Sequence, residues 1–468
     1  MPLKRTLDQL RHDVRRIRTP DTFSRHSFNV FSANTIAIGS QIVLTPLIAR
    51  IYGPEAYGVY GLFLALIMNL SSVADLGYSM AYVLPKEEDR FLDLVRLNVL
   101  FLGIVTVASL AGVLFHERIY DLIPSWRPLG LWILAVPLGL VVYSFMVIAS
   151  QWLIRAKAFK VSAYTGATTS LVMRVFNLVY GLAASGVTYG LMLGEVSIRG
   201  LAVLAYWWEL RSRGLNRIFP EWSWSSIKEA AIQYKRYPLL IFPERWVSLL
   251  GTQLPLFLLA DDLTTLGHYA LGSSLLLLPL RLLGFTFAPV YLQRASETAE
   301  NEPEVLGRIT RGLFKRLFWI GVIPFTLLTF FGDELFRIVL GEAWHDAGVI
   351  TAYLGAFFFF RLLTDPMASL FNVLRREHLM LIFSTVVTVL RLIAMLAALH
   401  FGQGSGGVIL AYATVSLLSY IVLAYLLLNA ARLPGLAIVS RSLAVASIIA
   451  ACCATLRYVT MGTWLPSL

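Results

Sequence analysis

Residues 57–84 read YGVYGLFLALIMNLSSVADLGYSMAYVL and contain one charged side chain, Asp75. A bilayer's hydrocarbon layer is about 30 Å thick, and a helix rising 1.5 Å per residue crosses it in about 20 residues. This stretch therefore predicts a transmembrane helix. The preceding residues 27–50, SFNVFSANTIAIGSQIVLTPLIAR, predict another. Going outward, the same criterion places spans at 93–115, 129–153, 160–184 and 187–208. After a polar interval it places others at 238–260, 265–291, 313–335, 348–372, 377–400 and 405–430. A weaker candidate at 438–458 is interrupted by Arg441. The alternating ten-residue segments of a membrane β-barrel are absent. The reading is all-α integral membrane, with 12–13 transmembrane helices.

Composition agrees. Of 468 residues, 57% are hydrophobic and 14% charged, with a mean hydropathy of +0.70. Soluble domains carry about 25% charged residues, so an ordinary cytoplasmic enzyme is excluded. The net charge of +11 would suggest nucleic acid on a soluble chain, but here it belongs to membrane topology, and no nucleic-acid partner is expected. Two adjacent cysteines, Cys452 and Cys453, supply neither a disulfide framework nor a metal cage. Of the 39 Lys and Arg, 27 fall on one side of the predicted spans, 4 on the other and 8 within them. The positive-inside rule then puts the N-terminus in the cytoplasm. Residues 1–26 form a basic cytoplasmic segment without the apolar core of a cleaved signal peptide.

The longest polar interval, 209–237, separates six spans from the next six. The organisation read here is an N-lobe at 27–208, a cytoplasmic linker at 209–237, a C-lobe at 238–430 and a C-terminal segment at 431–468. At a shift of 212 residues Gly39-Ser40-Gln41 falls on Gly251-Thr252-Gln253, and Tyr57 on Tyr269. Six spans is an even number, so both lobes share one orientation, related by an axis along the membrane normal, with a cavity between them.

Connections on the outer side are too short to hold a catalytic domain. No metal-spaced cluster, nucleophile elbow or phosphate-binding glycine loop appears, so an enzyme is not expected. What remains is charge inside the membrane. Arg174, Arg199, Arg245, Arg281, Arg361 and Arg391 all lie well within spans, as do Asp75, Glu195, Glu244 and Asp365. An arginine at mid-bilayer costs about 2.5–3.5 kcal/mol on insertion scales, so each should face the bundle interior or water. Glu195 and Arg199, like Arg361 and Asp365, are four apart and positioned to pair. Glu244 points about 100° away from Arg245 around the helix, and Arg281 has no acid within four positions. These two arginines either meet a ligand or pair with acids such as Asp75. Asn34, Gln41 and Thr45 share one face of the first span, which serves helix contact or a cavity. The interior is net positive and suits an anion; guanidinium forks pair well with pyrophosphate oxygens. The candidate ligand-contacting residues are Arg245, Arg281, Asn34, Gln41, Gln253, Arg174, Arg199, Arg361 and Arg391. Asp75, Glu244, Glu195 and Asp365 are candidates for carrying a coupled H+ or Na+.

Several motifs resemble a known family. Arg50-Ile-Tyr-Gly-Pro-Glu-Ala-Tyr-Gly-Val-Tyr60, Ala74-Asp-Leu-Gly77 and Val83-Leu-Pro-Lys86 resemble the start of polysaccharide flippases. Gln151-Trp-Leu-Ile-Arg155, Gly194, Tyr234-Lys-Arg-Tyr-Pro238, Gln253-x-Pro255, Gly267-His-Tyr269 and Leu278-Pro279 continue the pattern, so the resemblance spans roughly residues 27–296. These are the O-antigen and exopolysaccharide (Wzx-type) transporters of the multidrug/oligosaccharidyl-lipid/polysaccharide exporter superfamily. The resemblance implies two six-helix lobes, alternating access and an undecaprenyl-pyrophosphate-linked oligosaccharide moved from the cytoplasmic to the periplasmic leaflet of a bacterial inner membrane. It implies no cofactor, and a monomer working beside a polysaccharide polymerase and glycosyltransferases. It also brings the first two helices of each lobe, with Asn34, Gln41, Asp75, Arg245, Gln253 and Arg281, towards the cavity. The long basic tail and the possible thirteenth span depart from the family pattern. An ion-coupled multidrug antiporter of the same superfamily is the alternative.

Overall fold

The computed structural model describes residues 22–184, 189–220, 222–299 and 302–466, without the side chains of residues 22–34 and 285. Most of the basic N-terminal segment thus lies outside the described residues. The helices are α1 (Thr22–Asp75), α2 (Glu88–Leu114), α3 (His116–Leu122), α4 (Val136–Arg155), α5 (Phe159–Ala183), α6 (Gly190–Arg211) and α7 (Trp224–Gln233). They continue as α8 (Phe242–Leu258), α9 (Leu263–Thr298), α10 (Pro303–Leu340), α11 (His345–Thr364), α12 (Leu370–Val373), α13 (Glu377–His400), α14 (Gly404–Ala430) and α15 (Gly435–Met461).

Among the described residues, nine stretches are long and apolar enough to cross a membrane. The helices that miss that test, α5, α6 and α8, carry Arg174, Glu195 with Arg199, and Glu244 with Arg245. α5 and α6 are long enough but carry polar side chains that lower their hydropathy, whereas α8 is only 17 residues long; packing between neighbouring helices accommodates the polar groups. α1 kinks at Gly53, whose φ of 74° with ψ of 174° is a combination that a residue with a Cβ rarely adopts; Pro54 then starts the second arm.

The second arm ends at Asp75, earlier than the predicted 84. Leu76 and Gly77 both take positive φ, and the Asp75 carboxylate accepts from the Ser79 amide at 3.2 Å, starting a 3₁₀ turn at Tyr78–Ala81. Within the predicted span 348–372 the regular α-helix stops at Thr364, and a 3₁₀ turn opened by Asp365 and Pro366 and a short helix carry the apolar stretch on to Val373. α10, at 38 residues, is longer than a bilayer crossing needs and extends beyond the predicted 313–335.

In each half the first helix packs on the fifth: α1 on α5 and α8 on α13. The polar interval, with α7, closes over the end of α2, where the Arg96 guanidinium donates to the carbonyls of Arg217 and Ile218 at 3.0 and 2.9 Å. This end is termed the linker face. At the other end α1 and α9 close the space between the halves along a seam. A Cβ on Gly267 would lie 1.7 Å from the Pro54 carbonyl oxygen, and one on Gly58 would lie 2.3 Å from that of Leu263. Trp344 plugs the same end. Its indole donates to the Ala49 carbonyl at 3.1 Å, and its ring meets Tyr57 edge-on.

α15, the doubtful thirteenth span, is a 27-residue helix against α10 and α14. Its anchor is Arg457, which forms a two-pronged bond to Asp333 at 2.8 and 2.6 Å and also donates to the Phe330 carbonyl. Both side chains are buried, at 5% and 4% exposure. Arg441 stays exposed.

Two outcomes are expected. Arg457→Ala strands the Asp333 carboxylate and should cost about 3–5 kcal/mol, read as a lowered unfolding midpoint in detergent; Asp333→Leu with Arg457→Met should recover most of it. Gly267→Ala should force the seam apart. A cysteine at Leu64, in a background without Cys452 and Cys453, should then label from the seam face in proteoliposomes; unchanged labelling would show that the seam does not gate access.

Candidate central cavity

Three helices present one face each to the space between the halves. The second arm of α1 contributes Tyr57, Tyr60, Gly61, Leu64, Ala65 and Met68, at the three- and four-residue steps of a single helical face. α8 contributes Arg245, Ser248, Thr252 and Gln253, and α9 contributes residues from Tyr269 to Arg281 and beyond. Phe358, Arg361, Asp365 and Pro366 complete a cavity of about 720 Å³. Its lining holds three guanidiniums and one carboxylate, so its field is net positive.

The guanidiniums differ in what they touch. Arg361 donates to Asp365 at 3.0 Å and lies over the Phe358 ring. Arg245 and Arg281 are exposed to the cavity and, among the described residues, make no hydrogen bond or close ion pair; the Glu244 carboxylate beside Arg245 acts on it only at longer range. Asn69 on α1 donates to the Gln253 side chain on α8, bridging the halves beside the cavity. Tyr60, on the cavity wall, donates to Glu195 at 2.9 Å. Behind it Glu195 pairs with Arg199, which stacks over Tyr143.

The structure does not bring the other sequence candidates to the cavity wall. Arg174 donates to the Gln41 side chain and the Ser170 carbonyl, both at 3.0 Å, which ties α5 to the first arm of α1. Arg391 is buried between Phe357 and Tyr412 and donates to Ser416 at 2.8 Å. Asp75 meets neither Arg245 nor Arg281; its carboxylate takes the Asn98 amide at 3.0 Å as well as Ser79. Glu244 accepts from Ser384 at 3.2 Å, towards the linker face. The side chain of Asn34 lies outside the described residues. No group of three His, Cys, Asp or Glu that could hold a metal ion occurs among the described residues.

Towards the linker face the cavity continues past Arg245, which also lines a vestibule of about 670 Å³. Gln233, Tyr234, Arg236, Tyr237, Ser369, Asn372 and Glu377 are among its walls. The sequence reading missed this chamber and the Tyr57–Met68 stripe. The stripe was detectable as small and aromatic residues at helical spacing, whereas the vestibule joins segments more than a hundred residues apart.

The fold is shared with solved transporters. The lipid II flippase MurJ in an inward closed conformation is similar at 14% identity over 93% of this chain and 99% of that one, with a TM-score of 0.63. An inward-facing multidrug resistance MATE transporter of the MOP superfamily is similar at 15% identity over 88% and 95%, also at 0.63. A MOP superfamily transporter from Pyrococcus furiosus, with a binding pocket of reverse polarity, is similar at 13% identity over 87% and 96%, at 0.56. No curated protein matches the chain by sequence. The family model described as polysaccharide biosynthesis protein matches residues 47–349, from the end of the first arm of α1 into α11. Because that match covers more than half of the chain, with most of the first half and part of the second, this multi-pass helical membrane protein belongs to the polysaccharide biosynthesis protein family.

Proposed function

We propose that the protein is a flippase that carries a pyrophosphate-linked oligosaccharide on a polyprenyl lipid from the cytoplasmic to the periplasmic leaflet. The observation that carries this reading is the pair of uncommitted cavity guanidiniums, Arg245 and Arg281. Guanidinium forks match phosphate oxygens, and each charge-assisted bond contributes about 1.5–3 kcal/mol. The positive-inside count places the linker face in the cytoplasm, so the vestibule is the loading side and the glycine seam the closed exit. Transport then alternates between this form and one in which the seam opens and the linker face closes. The glycan crosses through the polar interior. The polyprenyl tail stays in lipid, because removing each CH₂ from hydrocarbon costs about 0.8 kcal/mol.

In cells lacking the gene, complete lipid-linked repeat units should accumulate in the inner leaflet while surface polysaccharide is lost. Restoring the gene with Arg245→Ala or Arg281→Ala should leave export about 10- to 100-fold below wild type, the equivalent of losing one such bond. Export intact in both variants would refute the assignment. Normal polysaccharide with raised drug sensitivity in the deletion would indicate an antiporter instead.

A further inference from the structure

The two chambers that meet at Arg245 differ in chemistry. The deep cavity carries Arg245, Arg281 and Arg361 against Asp365, set among apolar side chains and neutral polar ones such as Ser248, Thr252 and Ser274. The vestibule carries Arg236 and Arg245 against Glu244 and Glu377, so its charges balance. Moreover, Arg236 and Glu377 are paired with each other, and Glu244 takes the Ser384 hydroxyl. A phosphate therefore has a strong electrostatic reason to sit in the deep cavity and little reason to stay in the vestibule.

The vestibule instead offers neutral hydrogen-bonding groups with nothing to bind. Gln233, Tyr234, Tyr237, Ser369 and Asn372 all line it. Among the described residues, none of these five side chains has a hydrogen-bonding partner; the Ser369 hydroxyl is closed to solvent as well and stays unsatisfied. Gln233 and Asn372 are exposed and Tyr234 and Tyr237 half-buried, so these four open onto the concave wall with their hydrogen-bonding capacity unused by the protein and free for a ligand. Two tyrosine rings beside two carboxamides suit a neutral polyhydroxylated ligand, which offers both C–H faces and many donors and acceptors.

We propose that the vestibule is a saccharide subsite, in which Tyr234, Tyr237 and Asn372, with Gln233, hold the sugars next to the pyrophosphate and set which glycan is accepted. Arg245, at the junction, takes the phosphate end. The inference rests on the flippase reading and adds to it the residues that discriminate between glycans.

The test is binding by the purified full-length protein in detergent, followed by intrinsic tryptophan fluorescence. One probe is undecaprenyl pyrophosphate without sugar, the other undecaprenyl pyrophosphate bearing the repeat unit extracted from gene-deleted cells. Wild type should bind the glycan-bearing probe more tightly. Tyr234→Phe combined with Asn372→Ala should weaken that probe about tenfold, towards the affinity of the bare one, and leave the bare probe unchanged, as expected for two lost hydrogen bonds. Arg245→Ala should weaken both. If the double variant weakens neither probe, or both equally, the saccharide subsite is wrong while the flippase reading stands. If wild type binds neither probe, the flippase reading fails and the subsite with it.

Discussion

A guanidinium in hydrocarbon must find a carboxylate, a ring of oxygen acceptors or water, because an unpaired charge there is too costly to keep. That constraint arranges this molecule. Arg199 goes to Glu195, Arg361 to Asp365 and Arg457 to Asp333. Arg174 takes a carboxamide and a carbonyl on two helices, and Arg391 is held by a hydroxyl between two aromatic rings. Each of these residues joins elements of the bundle or stiffens one of them. Arg245 and Arg281 satisfy the constraint in a different way, by opening onto the space between the halves. The packing of the rest of the bundle is what leaves that space available to them.

Closure at one end and access at the other follow from small residues and turns. Two backbones approach at Gly58 and Gly267 to a distance that excludes any side chain, so the seam exists only while both positions are glycine. At the linker face, regular α-helix stops at Asp75 and Thr364, and the 3₁₀ turns that follow leave room for the vestibule. The same chain thus makes a tight seal with glycine and an opening with Asp and Pro. Tyr60 connects these two regions with the ion pair in the first half, since its hydroxyl reaches Glu195 from the cavity wall.

Much of the architecture was legible because hydropathy is a local property. Runs of apolar residues must span, and the polar interval at 209–237 must lie outside the hydrocarbon. The shared motif at a shift of 212 residues fits the repeated packing of first helix on fifth. Span ends were less legible. Leu76 reads as apolar, but its positive φ ends a helix that hydropathy would continue to residue 84. α15 seemed doubtful from Arg441, yet the arginine that decides its place is Arg457, whose partner lies 124 residues earlier.

Sequence alone determined that this chain is a helical membrane protein with a net positive interior, and that Arg361 and Glu195 have partners one turn away. These conclusions need only composition and the 3.6-residue period. Only the tertiary structure decided which arginines stay uncommitted. It paired Gln41 with Arg174, turned Asp75 towards Asn98 and left Arg245 between two chambers of different polarity. The reason is physical: a charge's partner is chosen by distance in space, and across a bundle that distance is unrelated to separation along the chain.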